Sequence, residues 1–371
     1  MNKETFSNIS KIIERDSKSS TYKFALLRGT IDIIQENSPY IKLEGDYAII
    51  PTGLLIEKWL IYYYPILQSE TKIPQINNNT KLAFEPLLIN LINKYETLGG
   101  FSAFYNDLKN KGIPSFLKDD FFDLAKKLRD TITKMPMKYI GRSISDNYYS
   151  VYTFNNTIKL KREAQIDIER LINDFGNFSI PIEYYEAFKI LGSFINGQDS
   201  ILFKWAEFSV NASSKNLSVD NVLNEVLISP ITNRDILGSK KLYESILKKE
   251  GIVYCVWTGK KLNKYDIDHI IPFSVWKNND LWNLLPSSAT INRKYKKDKI
   301  PSPYLIEKQK DIILDYWNII YQEQSERFRK EMQTALLGNH AFSTWRENGI
   351  RQLKESCNYL IENRGFEEWK I

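Results

Sequence analysis

The chain has 371 residues, of which 43% are hydrophobic and 26% are charged, a composition typical of folded domains that excludes an intrinsically disordered chain. Its length suits two or three domains that each bury a hydrophobic core. The longest apolar stretch, residues 54–67, contains Glu57 and Lys58 and is shorter than the roughly 20 apolar residues of a membrane span, so it predicts a buried helix.

Two features of the sequence predict a cytoplasmic protein with reduced thiols. Residues 1–18 carry charged side chains where a secretory signal has an apolar core. The two cysteines, Cys255 and Cys357, are far apart along the chain and provide no disulfide framework. We therefore expect a cytoplasmic protein without a membrane partner.

The first 135 residues have the pattern of a helical domain. Apolar residues recur at the spacing of one helix face, and turn-forming glycines and prolines at 51–53, 99–100 and 112–114 separate the periodic stretches. The predicted helical domain is therefore 1–135. Its predicted helices cover residues 22–36, 54–67, 82–95, 101–109 and 116–135.

Residues 136–250 are predicted to begin with a small β-hairpin and to continue as helices. Residues 137–144 and 148–154 are rich in aromatic and β-branched side chains and flank a Ser-Asp-Asn turn, which is the pattern of a hairpin. The last helix should end at Gly251, because glycine readily adopts the left-handed conformation that closes many helices. The predicted helices cover residues 163–173, 182–195, 200–212, 219–227 and 233–249.

Two more helices are predicted over residues 304–337 and 342–362. The aromatic side chains of the helices are more typical of a hydrophobic core than of a surface that stacks nucleic-acid bases, because large apolar side chains at helical spacing are usually buried. These aromatic residues are Trp59, Tyr62, Tyr63, Tyr64, Trp205, Trp317 and Trp345.

The positive charge is concentrated in one part of the chain. Residues 251–300 contain nine Lys or Arg and four Asp, so this window holds +5 of the formal net charge of +6. A local basic cluster of this kind is expected on a surface that binds a polyanion such as nucleic acid. The alternative is a solvated helix face, since charge runs often serve only solubility.

Residues 254–301 place a few polar residues within an apolar frame. The pattern predicts two short strands joined by a turn, then a polar loop, and finally a polar helix that begins near residue 288. An aspartate and a histidine are adjacent, one asparagine follows the histidine by fourteen residues, and a second follows nine residues later. These four residues are Asp268, His269, Asn283 and Asn292.

These residue types suit the hydrolysis of a phosphodiester bond. The reaction needs a cation to neutralise charge on the phosphate and a base to deprotonate the attacking water. Asp268 and Asn292 offer the hard oxygen donors that Mg²⁺ accepts, and His269 can be neutral and basic at cellular pH. Adjacent side chains of a strand point to opposite faces, so Asp268 and His269 can act on one phosphate only if the strand ends there, as Pro272 indicates.

The segment resembles the HNH endonucleases in three places: the run DIDHIIPFS, the asparagine of WNLLP and the tail NRKYKKDKIP. Within that family it is most similar to the HNH domain of RNA-guided CRISPR effector nucleases and to bacterial restriction enzymes. The resemblance implies a ββα-metal nuclease domain over residues 251–302, with the C-terminal helices of 303–371 packing on it or on the helical region. We therefore predict an α+β, predominantly helical multidomain chain with a small ββα-metal nuclease unit near the C-terminus.

The resemblance also implies a role for each polar residue. Asp268 and Asn292 would be metal ligands and His269 the general base, while Asn283 would tie the loop in place and help to orient the histidine. Of the basic residues that follow, Arg293, Lys294 and Lys296 would contact phosphates. From the basic run itself we expect these side chains and that of Lys297 to be exposed on a helix and to bind DNA.

The implied cofactor is Mg²⁺ or Mn²⁺. Many HNH proteins bind a structural zinc through two pairs of cysteines, but here Cys255 stands alone where a pair would be needed. We therefore expect no structural zinc.

The predicted function is metal-dependent hydrolysis of DNA, in bacterial restriction or anti-phage defence, with a defence-system protein or a second copy of the chain as a candidate partner. Two alternatives stay open: a nucleic-acid-binding module that does not cut, and an RNA or nicking nuclease subunit of a larger complex. The alternative interpretation of the motif is that Asp268 and His269 form an ordinary surface dipeptide. Asn283 and Asn292 would then be turn and cap residues. His340 is expected to be a loop or cap residue.

Overall fold

The structure, a computed structural model, describes residues 3–77, 81–144, 151–154, 160–162, 165–196, 201–214, 216–227 and 234–371. The chain is predominantly helical with small sheets, which confirms the predicted fold class. It forms two compact units. Unit 1 consists of Met1–Glu36 and Tyr40–Pro230, and unit 2 of Asn37–Pro39 and Ile231–Ile371. The four domain boundaries derived from the sequence stay predictions.

Unit 1 is built around α3, the helix that the apolar stretch 54–67 predicts. Because α3 is apolar on nearly all sides, it is enclosed by other helices, and the side chains of Trp59 and Tyr63 are fully buried. A Cβ atom at Gly53 would overlap the backbone of Leu171, so glycine permits the close approach of α3 and α8. The helices are α1 (Lys3–Arg15), α2 (Tyr22–Gln35), α3 (Thr52–Gln68), α4 (Glu85–Glu96), α5 (Gly100–Asn106), α6 (Lys118–Lys134), α7 (Pro136–Tyr139), α8 (Ile168–Asp174), α9 (Ile182–Asn196), α10 (Ile201–Ala212) and α11 (Val219–Leu227).

A four-stranded antiparallel sheet completes the described part of unit 1. Its strands are β1 (Lys42–Glu44), β2 (Tyr47–Pro51), β3 (Thr153–Phe154) and β4 (Asn177–Pro181), in the order β1-β2-β4-β3. Strands β1, β2 and β4 were not predicted from the sequence.

The predicted hairpin over residues 137–154 is wrong. Pro136 occupies the first turn of α7, where its fixed backbone angle suits a helix, so this stretch is helical rather than extended. Strand β3 pairs instead with β4, where Thr153 lies opposite Ser179. Residues 145–150 of the predicted hairpin lie outside the described residues.

Unit 2 contains the segment that carries the predicted site. Helix α12 ends at Glu250, and Gly251 closes it with φ of 70° in the left-handed region, as predicted. The two short strands expected after it form the antiparallel pair β5 and β6, and a second antiparallel pair, β7 and β8, follows. The elements are α12 (Leu237–Glu250), β5 (Val253–Tyr254), β6 (Lys261–Leu262), β7 (Asp266–His269), β8 (Leu284–Ser287), β9 (Ile300–Pro301), α13 (Pro303–Lys308), α14 (Lys310–Glu323), α15 (Ser325–Met332), α16 (Trp345–Glu362) and β10 (Glu368–Trp369).

The C-terminal helices α14 and α15 pack against the short helical turn, Leu281–Asn283, that precedes β8. The indole of Trp317 in α14 donates a hydrogen bond of 2.8 Å to the carbonyl of Trp282, which lies just before β8. The single helix predicted over residues 304–337 is wrong, because the backbone leaves the helical conformation at Gln309 and Gln324 and separates α13, α14 and α15. This break lets three short helices pack around one core.

The aromatic residues predicted to be core are all buried, which confirms that prediction. In the part of the chain that the structure describes, no helix combines the length and the apolar character needed to cross a bilayer.

Candidate active site

The candidate site is built on strand β7 and on a short π-helix, Ile291–Lys296, whose side chains contact the strand. The strand pairs with β8 so that Asp268 lies opposite Leu285 and His269 opposite Leu284. Side chains of a strand alternate between its faces, so Asp266 and Asp268 share one face while His269 points to the other. The strand ends at His269, as predicted from the sequence.

Asp268 is a buried carboxylate whose two oxygens both accept hydrogen bonds. The indole nitrogen of Trp257 donates to Oδ2 at 2.6 Å, and the ammonium of Lys296 donates to Oδ1 at 3.1 Å. Burial raises the pKa of Asp268, while the charge of Lys296 and the bond from Trp257 oppose this shift. The carboxylate is therefore held as one member of a buried ion pair.

The prediction that Lys296 is exposed is wrong. Its side chain is 0% exposed and donates a second hydrogen bond, of 2.6 Å, to the carbonyl oxygen of His269. Lys296 is the last residue of a π-helix, Ile291–Lys296, and lies one turn after Asn292. Residues four apart share a helix face, so Lys296 follows Asn292 toward the strand.

His269 is held by one contact at each ring nitrogen. A guanidinium nitrogen of Arg234 lies 3.1 Å from Nδ1, and Oδ1 of Asn279 lies 3.2 Å from Nε2. Because a guanidinium can only donate, Nδ1 must accept and Nε2 must carry the proton that it donates to Asn279. The imidazole is therefore neutral, with its lone pair on Nδ1.

The electrostatic environment also keeps His269 neutral. Burial lowers the pKa of His269 to about 4, assisted by the positive charges of Arg234 and Lys296 and opposed by the bond to Asn279. The ring lies 5.6 Å from that of Phe273 and is 1% exposed. In this arrangement the imidazole of His269 is neutral and shielded from solvent.

Asn283 fastens the loop between the two strands. Its side-chain oxygen accepts from the backbone nitrogen of Ile271 at 2.8 Å, and its side-chain nitrogen donates to the carbonyl of the same residue at 3.0 Å. The carbonyl of Asn283 also accepts from the nitrogen of Ile270 at 2.8 Å. Asn283 is fully buried, and these three bonds fix the backbone that leaves His269.

Asn292 lies beside Asp266, two residues before the predicted metal ligand on the same face of the strand. The side-chain nitrogen of Asn292 is 3.5 Å from Oδ2 of Asp266. Arg293 binds the same carboxylate through two hydrogen bonds of 2.6 and 2.7 Å. The helix thus places Asn292 and Arg293 over Asp266 and Lys296 over Asp268.

The other predicted phosphate contacts are exposed. Arg293, Lys294 and Lys297 are solvent-accessible, and Tyr295 between them is 59% exposed. Lys297 has a positive φ of 52° and ends the helix. The structure therefore presents three of the four predicted cations at the surface.

The residue types at this site suit a hard divalent cation, but the side chain of Asn292 contacts Asp266, and no contact in the described part of the chain joins it to Asp268. Asp268 supplies a carboxylate and Asn292 an amide oxygen, both ligands that Mg²⁺ accepts alongside water. In this structure the cation at the Asp268 carboxylate is the ammonium of Lys296. A divalent ion at Asp268 would have to share the carboxylate with Lys296 or displace it. Within the described ranges, no cluster of three or more His, Cys, Asp or Glu could hold a metal.

Sequence reasoning missed several residues of the site. Trp257 and Asp266 lie within the segment and contact its polar residues, but their partners depend on the register of β7 against the helix. Glu331 of α15 accepts a hydrogen bond of 2.6 Å from the nitrogen of Leu281, so a C-terminal helix supports the turn before β8. Arg234 carries no local signal, because it lies outside the segment.

His340, the second histidine, lies in an exposed bend, as predicted. Its backbone nitrogen donates a hydrogen bond to the carbonyl of Leu337, and its ring contacts Arg351.

Two family models match the chain. One, described as HNH endonuclease, matches residues 255–302. The other, described as a domain of unknown function (DUF8808), matches residues 2–226. No curated protein and no solved structure matches the chain. The first match confirms that the segment with the candidate site is an HNH domain, and HNH nucleases generally use a divalent metal.

Proposed function

The chain belongs to the family described as a domain of unknown function (DUF8808), and we propose that it is a nuclease whose HNH domain hydrolyses phosphodiester bonds in DNA. The observation that carries this proposal is the state of His269. Its imidazole is neutral, its lone pair is on Nδ1, and it stands at the end of a strand beside Asp268. A base of this kind can accept the proton of an attacking water.

Each residue of the site has a part in this proposal. His269 accepts the proton, and Asn283 holds the loop so that the imidazole keeps its position. Asp268 and Asn292 would hold Mg²⁺ or Mn²⁺, and the ion would supply positive charge to neutralise the phosphate. Asn279 accepts the hydrogen bond of Nε2 and so keeps the lone pair on Nδ1, where Arg234 contacts it in this structure.

DNA is the proposed substrate because of the exposed cations of the helix. Arg293, Lys294 and Lys297 are accessible to a phosphate backbone, which dominates the affinity of nucleic-acid binding. The proposed setting is restriction or anti-phage defence in the bacterial cytoplasm, in the manner of restriction and CRISPR effector nucleases. In that setting the DUF8808 region would recognise the target, a defence-system partner or a second copy of the chain.

One observation favours a second candidate, a module that binds nucleic acid without cutting. Asp268 and His269 are 2% and 1% exposed, and the ammonium of Lys296 occupies the carboxylate. A site that stayed in this arrangement could not contact a phosphate. The nuclease therefore requires that Lys296 and Arg234 move when substrate binds.

Incubation of the protein with supercoiled plasmid and Mg²⁺ separates these functions. A nicking enzyme yields open circles, two sites acting together yield linear DNA, and a binding module leaves the plasmid unchanged. Incubation with a labelled RNA in parallel tests the alternative that the protein cuts RNA. EDTA should abolish cutting.

Replacement of the proposed base provides the decisive test. His269→Ala should lower the cleavage rate by roughly 10²–10⁴-fold and leave DNA binding intact, because general base catalysis typically contributes this factor. His340→Ala is the matched control, since it removes the other histidine from an exposed bend. Near-normal cleavage by His269→Ala would exclude His269 as the base.

A further inference from the structure

Arg234 contacts the nitrogen of His269 that the proposed reaction uses. It lies in the segment before α12, outside the residues that match the HNH model. Its guanidinium is 3.1 Å from Nδ1, and the residue is exposed. The segment is brought there by α12, whose Tyr243 hydroxyl donates a 2.9 Å bond to the carbonyl of Leu284, the residue opposite His269.

Arg234 differs from the other two cations at the site in its ion pairing. Lys296 is paired with Asp268, and Arg293 is paired with Asp266. Among the residues that the structure describes, no carboxylate forms an ion pair with Arg234, and its hydrogen-bond partner is the neutral imidazole. The other four of its five N–H donors therefore have no hydrogen-bond partner within the described part of the chain.

The ligand that suits these donors is a phosphate. A guanidinium binds phosphate through two parallel charge-assisted hydrogen bonds, which are roughly twice as strong as neutral ones. A phosphate bound to Arg234 would lie beside Nδ1, within the reach of one water molecule. A single bond to a neutral ring nitrogen is a weaker alternative for the same guanidinium.

We propose that Arg234 is a catalytic residue that binds the scissile phosphate and, in doing so, leaves Nδ1 of His269 to the attacking water. This inference rests on the proposed nuclease function. The water gives a proton to Nδ1, and its oxygen forms the new bond to phosphorus. The bond between phosphorus and the leaving 3′ oxygen breaks, and that oxygen takes a proton from solvent. Arg234 stabilises the extra negative charge on the phosphate during this step.

The first experiment measures single-turnover cleavage of supercoiled plasmid. Arg234→Ala should lower the rate by roughly 10²–10³-fold, the usual effect of removing one donor to developing charge. Plasmid affinity should fall by less than about tenfold, because one phosphate contact among several is lost. Added guanidinium ion should restore part of the rate, a rescue that a purely structural role does not give. Lys241→Ala, which removes an exposed cation of α12, is the matched control and should cut like the parent.

The second experiment tests the contact without cleavage. The chain has two histidines, so ¹⁵N-histidine labelling gives a simple spectrum in which His340 is the internal reference. In EDTA, addition of a short DNA duplex should shift the Nδ1 resonance of His269 in the parent as Arg234 transfers to a phosphate. In Arg234→Ala the same addition should leave that resonance nearly unchanged.

The two experiments distinguish failure of this inference from failure of the proposed function. A parent that never cuts plasmid or RNA refutes the nuclease, while the His269 resonance still reports whether Arg234 moves to DNA. A parent that cuts while Arg234→Ala cuts at the same rate overturns the inference alone. The inference is also overturned if the parent binds no duplex, or binds it by fluorescence anisotropy while the His269 resonance stays in place.

Discussion

Replacement of Lys296 by methionine should destabilise the HNH domain more than any other single change of a charged residue on its helix. The variant keeps a long apolar side chain against Trp257, whose ring lies 5.7 Å from the ammonium, but it removes the positive charge. Asp268 would then be a buried carboxylate without its cation, since its side chain is 3% exposed. Breaking a buried pair in this way typically costs about 3–5 kcal/mol.

Hydrogen exchange measured by mass spectrometry can follow this effect locally. A peptide that spans β7 should exchange roughly a hundredfold to several thousandfold faster in Lys296→Met, because each 1.4 kcal/mol corresponds to about a factor of ten. Lys297→Met, the neighbouring exposed lysine, should change stability by less than about 0.5 kcal/mol. This local readout is independent of the unfolding of unit 1.

A second substitution tests the origin of the cost. In the double variant Lys296→Met/Asp268→Asn, the amide still accepts from the Trp257 indole and carries no charge, so part of the lost stability should return. Exchange of β7 in Lys296→Met that is as slow as in Lys297→Met would refute the buried ion pair. The ion pair would also be refuted if the stability lost in the double variant equalled the sum of the losses in Lys296→Met and in Asp268→Asn.

Three further predictions concern the residues around this pair. Asn283→Ala should destabilise the domain by about 1–3 kcal/mol for each backbone group it leaves buried and unpaired, measured by urea unfolding. Asn292→Ala should lower cleavage in Mg²⁺ and be partly restored by Mn²⁺, which tolerates looser geometry, and full activity in excess EDTA would contradict a metal mechanism. Neutralising Arg293, Lys294 and Lys297 together should lower the log–log salt slope of duplex binding by about 0.9 per lost contact; an unchanged slope would place the main DNA contact elsewhere.

The local features of the site could be predicted from the sequence because they depend on neighbouring residues. The strand that ends at His269 and the helix end at Gly251 follow from short-range patterns of apolar and turn residues. The position of Lys296 follows the same kind of rule. A metal ligand at Asn292 has to face the strand, and the four-residue spacing then turns Lys296 inward as well.

The remaining features depend on contacts between distant parts of the chain. Strand β2 pairs with β4, so that Ile50 lies opposite Phe178, and no local pattern specifies a partner so far away. Arg234 reaches His269 only because α12 is fastened to β8, and its own neighbours in sequence give no indication of a site. Non-local packing therefore supplied the residue on which the further inference depends.

Glu331 shows the same dependence and leads to a prediction on pH. This buried residue of α15 accepts hydrogen bonds of 2.6 Å from the nitrogen of Leu281 and from Nε of Arg327. Burial and the nearby charge of Asp280 raise the pKa of Glu331 to about 8, although Arg327 and the Leu281 bond oppose the shift. In the unfolded chain a glutamate has a pKa of about 4.3.

Between these two pKa values the folded state holds a proton on Glu331 that the unfolded state has lost. Stability from this residue is therefore fully present below about pH 4.3 and falls by up to about 1.4 kcal/mol per unit as pH rises toward 8. Glu331→Gln, which keeps an acceptor for Leu281, should flatten the pH dependence of urea unfolding by that amount between about pH 5 and pH 8. Glu326→Gln, on the exposed side of the same helix, should leave the parent's pH dependence unchanged. A Glu331→Gln variant with the parent's full pH slope would show that Glu331 is ionised in the folded domain, held as a carboxylate by Arg327 and Leu281 in spite of its burial.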